Sequence, residues 1–99
     1  MNVKEFRFTD EGDRTYIFYV KESFFKDHPK VTAKTKYELN NDYKLSTYLH
    51  NLEGPAVLLV DSNLVAYRIN GKLFKNRDEW EKEVHKIKFS NKLEDLCDE

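Results

Sequence analysis

A single cysteine, Cys97, stands in a chain of 99 residues, so no internal disulfide can form. A secreted domain of this size usually carries several bridges, and their lack points to a reducing compartment. Glycine is nearly as scarce. Gly12, Gly54 and Gly71 each sit among turn residues, which leaves none for a phosphate-cradling loop. No apolar run approaches the roughly 20 residues that span a bilayer. The opening Met1-Asn2-Val3-Lys4-Glu5-Phe6-Arg7-Phe8 lacks the continuous apolar core of a signal peptide. The expectation is a cytoplasmic protein with no membrane association. An excess of charge is missing too. The formal net charge of −1 is neither the basic surplus of a duplex-phosphate binder nor the acidic surplus of a nucleic-acid mimic.

What is present is aromatic and charged. The hydrophobic fraction of 39% falls below the roughly 45–50% of ordinary soluble domains. Seven Phe, six Tyr and one Trp offset that shortfall with large buried area per residue. One compact domain is expected over residues 1–90, followed by an acidic carboxy-terminal tail over 91–99.

Val3 to Phe8 alternates apolar and charged residues, which predicts a half-buried strand. Asp10-Glu11-Gly12-Asp13 is turn chemistry, with Gly12 available for positive φ. Arg14 to Val20 is rich in β-branched and aromatic residues. Both of its faces are apolar, which predicts an interior strand covered on each side. Residues 21–33 read either as a short helical turn ended by Pro29 or as an irregular loop. Tyr37–Leu39 and Tyr43–Leu49 are expected to be strands reversing at Asn40-Asn41-Asp42.

Ala56 to Val60 is a continuous apolar strand that Gly54-Pro55 keeps from extending backward. Asp61-Ser62-Asn63 turns the chain and Leu64 to Ile69 returns it. Asn70-Gly71 is a strong type I′ turn signal, with Lys72-Leu73-Phe74 as the third strand. Asn76 caps a helix, with Glu79 three residues on. Trp80, Val84 and Ile87 form its buried stripe, and Leu93, Leu96 and Cys97 extend it by one further amphipathic turn. The fold class is α+β: an antiparallel sheet of about five to seven short strands in hairpins, covered by a carboxy-terminal α-helix.

Catalytic signatures are missing. There is no G-x-S-x-G and no H-E-x-x-H, and no catalytic residues are expected. His28, His50 and His85 lie far apart, with no Cys or carboxylate at a metal-ligand spacing. No metal site and no cofactor is expected.

The candidate binding residues lie in the middle of the chain. Lys26, Lys30, Lys34, Lys36 and Lys44 interleave with Phe24, Phe25, Tyr37 and Tyr43. Exposed aromatics stack on unpaired bases while lysines meet phosphates, so RNA or single-stranded DNA is one possible partner. The same aromatics equally suit a protein interface. Phe24 and Phe25, adjacent on an extended chain, would face opposite ways. One then sits in a partner or in a homodimer seam, or both are buried within the monomer on two sides. The acidic segment Leu93 to Glu99 either docks in a basic groove or stays unordered.

Residues 50–87 resemble the GPA…Y-x-I/L-N-G-K unit of small tailed-bacteriophage proteins. The matching residues are Glu53-Gly54-Pro55-Ala56, Tyr67, Ile69-Asn70-Gly71-Lys72 and Glu79-Trp80. In that family the hairpin strands often feed a helix opening with an acidic residue and Trp. Family members commonly carry a charged pair where this chain has Leu58-Leu59-Val60. The resemblance implies an accessory protein of the host bacterial cytoplasm that binds a host protein. A defence, toxin or regulatory factor would be inhibited or modulated without catalysis.

Overall fold

The computed structural model describes the backbone of residues 3–97 and the side chains of residues 3–89. Five antiparallel strands run in chain order: β1 (Val3–Thr9), β2 (Thr15–Lys21), β3 (Val57–Leu59), β4 (Val65–Ile69) and β5 (Lys72–Phe74). Three short helices, α1 (Ser23–Asp27), α2 (Lys36–Asp42) and α3 (Leu45–Tyr48), lie between β2 and β3. The long α4 (Arg77–Cys97) closes the chain. The α+β reading holds, with β2 between β1 and β3 as an interior strand.

Alternation puts Phe6, Phe8, Phe18, Val20 and Val57 on one sheet face, since Phe6 pairs with Phe18 and Phe18 with Val57. Phe24 from α1, Leu39 from α2 and Leu45 from α3 close over that face, each fully buried. Phe18 and Phe24 both meet the Phe6 ring, with centroids 6.1 and 6.0 Å away.

Two of the helices replace expected strands. Thr35 caps α2, its hydroxyl accepting the Glu38 N–H at 3.1 Å while a Glu38 carboxylate oxygen accepts the Lys34 N–H at 3.0 Å. This reciprocal capping turns Tyr37–Leu39 into helix and carries it through Asn40-Asn41-Asp42. The reversal comes later, at Lys44, whose φ is 55°. α3 then takes up Leu45–Tyr48. Within residues 21–33 the chain forms the short α1, which ends before Pro29. In the first hairpin Asp13, not Gly12, takes the left-handed backbone, with φ 61°, while Asp10 Oδ1 accepts the Gly12 and Arg14 N–H groups.

The second half follows expectation. Asn70 and Gly71 have φ of 52° and 83°, as a type I′ turn requires. Asn76 Oδ1 accepts the Glu79 N–H at 3.0 Å. Trp80 and Val84 are buried with Ile69, and Ile87, Tyr67 and Phe74 flank them. On β4, Tyr67 and Ile69 face away from Ala66, which pairs with Val57. α4 therefore packs on the sheet face opposite α1–α3, and only over the β4–β5 end. The helix continues to Cys97; the side chains of the acidic segment 91–99 lie outside the described residues. Among the described residues no helix is long and apolar enough to cross a membrane.

Candidate binding surfaces

Two surfaces emerge from this layering. The first is the sheet face that α4 leaves open. Arg7 pairs with Ile17, Ile17 with Leu58 and Leu58 with Val65, so these four side chains form one row across β1–β4. Ile17 and Leu58 are half-buried and Val65 is 44% exposed. Beside the row, Tyr19, Leu58 and Val3 line a shallow groove walled by Asn51, Glu53, Gly54 and Pro55. β2 was expected to be covered on both faces. It is covered on one, because α4 follows the β4–β5 hairpin too closely to reach back across β1–β3.

The wall of the groove is held by the segment Leu49–Asn51. The His50 N–H donates to the Tyr19 carbonyl at 3.0 Å, and the Asn51 N–H to the Arg68 carbonyl at 3.1 Å. The Asn51 side chain donates to the Pro55 carbonyl and accepts from the Glu53 N–H, both at 2.9 Å. Trp80 Nε1 donates to the Asn51 carbonyl at 3.1 Å. His50 is 4% exposed. Its burial, then the Lys21 ammonium and the amino terminus, push its pKa below the ordinary histidine value.

The second surface is the lysine–aromatic segment, and the structure divides it. Phe24 is a core residue with no exposed surface, so it cannot be a partner contact in the folded chain. Because α1 is helical, Phe24 and Phe25 do not point oppositely. Phe25 turns its edge to Phe24 and to Phe6, with centroids 5.4 and 6.0 Å away, and stays half-buried. Tyr43 is also half-buried, against the His28 ring, its hydroxyl accepting the Thr32 N–H at 3.1 Å. Tyr48 donates its hydroxyl to Asp27 at 2.7 Å, a bond that raises the phenol's pKa.

The rest of the segment is outside. Lys26, Lys30, Lys34 and Lys36 are exposed, and Tyr37 is 74% exposed. Lys36 sits over the Tyr16 ring at 5.3 Å. A small cleft joins Lys36 to Arg14, Tyr16, Leu59 and Leu64. Lys26 in α1 and Lys30 beyond it do not line this cleft.

Comparison with known proteins adds no function. No family model, curated protein or solved structure matches the chain. The residues that sequence reasoning passed over are Ile17, Tyr19, Leu58 and Val65. For Ile17 and Tyr19 the signal was the two-sided apolarity of β2, and for Leu58 the continuous apolar run Ala56–Val60. Among the described residues no group of three or more His, Cys, Asp or Glu is placed to hold a metal.

Proposed function

We propose that this chain is a small non-catalytic accessory protein of bacteriophage type that binds a host bacterial protein and inhibits or modulates it. A defence, toxin or regulatory factor is the expected class of target. The observation that carries the reading is the open row Arg7–Ile17–Leu58–Val65, an apolar strip across four paired strands with a charged end. Interfaces of this kind use an apolar centre and a polar rim and need no reactive group. The resemblance of residues 50–87 to tailed-phage proteins supplies the bacterial setting.

The test is capture from nuclease-treated bacterial lysate, with the native chain and a Leu58→Lys variant side by side. A stoichiometric protein held by the native chain and lost by the folded variant supports the reading. Equal capture by both overturns the face assignment.

A second reading rests on the exposure of Tyr37 beside Lys34 and Lys36. A stacking ring among ammonium groups suits RNA or single-stranded DNA. Nucleic acid that co-purifies with the native chain, and is lost on Tyr37→Ala, would favour it over protein capture.

A further inference from the structure

β1 is an edge strand, and its outer edge, unpaired among the described residues, carries a self-complementary pattern. In an antiparallel ladder alternate residues direct their N–H and C=O groups to the same neighbour. The Val60 N–H donates to the Thr15 carbonyl and the Tyr19 N–H to the Ala56 carbonyl, which assigns the odd residues of β2 to β3. The even ones, Tyr16, Phe18 and Val20, therefore face β1, where they pair with Phe8, Phe6 and Lys4. The backbone groups of Val3, Glu5, Arg7 and Thr9 consequently point out from the sheet.

We infer that two copies of this chain pair through these edges as a two-fold dimer, with β1 antiparallel to β1 and the axis through Phe6. Phe6 is the midpoint of Val3–Thr9, so this register alone pairs the whole strand. It sets Glu5 opposite Arg7 of the second copy, and Arg7 opposite Glu5, at positions where both backbones present free hydrogen-bonding groups. Val3 and Thr9 pair likewise.

Other registers are worse. An axis at Glu5 or Arg7 satisfies the same backbone alternation but sets like charges opposite each other, and an axis at Lys4 does so too. Edge strands usually carry charges that repel a second edge; here the order of the two signs attracts one. Lys4, which would stand opposite Phe8 of the second copy, has its ammonium 3.8 Å from Glu22.

The core face continues across the junction. Phe6 is only half-buried although four aromatic rings surround it: Phe8, Phe18, Phe24 and Phe25. The two-fold axis places the Phe6 rings of the two copies opposite each other. The half-buried Phe25 of each α1 lies next to Phe6 at that seam. The closed two-fold uses up both free β1 edges, so pairing stops at two copies.

The experiment is sedimentation equilibrium on the full chain with a charge swap. E5R and R7E each put like charges opposite at both symmetric positions and are expected to weaken the dimer about tenfold or more. The double variant E5R/R7E restores both opposite-sign pairs and is expected to restore the dimer. Glu5 and Arg7 are exposed, and circular dichroism checks that each variant is folded. A native chain that stays monomeric at high micromolar concentration overturns the inference. So does a dimer that neither single substitution weakens, or one that the double variant fails to recover.

Discussion

His50 accepts, at Nδ1, the backbone N–H of Asn70 from a distance of 2.9 Å. An acceptor nitrogen must be unprotonated, so this bond fixes the neutral tautomer with its proton on Nε2. It also ties the β4–β5 turn to the segment that follows α3.

Stability is expected to fall in mild acid because of this histidine. The folded chain holds the His50 pKa below its ordinary value, so as pH drops the unfolded chain binds the proton first. The loss begins near the unfolded histidine pKa of about 6.5 and ends below the lowered folded pKa. Urea unfolding at about pH 7.5 and about pH 5.5 measures it. A His50→Gln variant should lose that part of the pH dependence; an unchanged slope would assign it to another group.

Gly71 should tolerate no side chain. Its φ is +83°, and a Cβ there would come within 3.0 Å of the Thr47 carbonyl oxygen and 3.1 Å of its Cα. Both contacts are backbone, so neither can swing aside. Gly71→Val is expected to cost about 2 kcal/mol or more in chemical denaturation. A loss within error would mean that the turn moves freely off α3.

Phe24 and Phe25 should behave differently despite being neighbours. Phe24→Ala empties a fully buried site and should cost about 3–5 kcal/mol. Phe25→Ala removes a half-buried ring and should cost clearly less. Thermal melts of the two variants decide it, and equal losses would contradict the burial difference.

Thr35→Ala should destabilise the fold by about 1 kcal/mol by removing the cap of α2. The hydrogen bond at stake is the one from the Glu38 N–H to the Thr35 hydroxyl. Thr35→Ser should retain most of the stability. If alanine and serine behave alike, the cap contributes nothing.

The contrast between the halves of the chain explains what was legible in the sequence. From Gly54 onward each element is specified locally: Asn70-Gly71 by its turn chemistry, α4 by Asn76 and the Trp80–Val84–Ile87 spacing. The stretch from Tyr37 to Leu49 is not. There Tyr, Leu and Thr look strand-like, and Asn40-Asn41-Asp42 looks like a reversal. The Thr35-x-x-Glu38 pattern that caps α2 did not enter the strand expectation. What settles the helices is burial of Leu39 and Leu45 over the sheet, a contact between distant parts of the chain. For the same reason the open face was only half visible. Two-sided apolarity in β2 is visible in the sequence and reads there as burial on both sides, whereas the position of α4 decides which side stays uncovered.

Three of the links made by Leu49–Asn51 are main-chain to main-chain. The Gly71 N–H reaches the Leu49 carbonyl, the Asn51 N–H the Arg68 carbonyl, and the His50 N–H the Tyr19 carbonyl. Side-chain identity does not enter these bonds. The cluster under α1–α3 and the cluster under α4 are therefore joined in part by backbone that substitutions within either core leave in place. One short crossing segment thus carries the register between two separately built cores, with the His50 and Trp80 side chains bracing it.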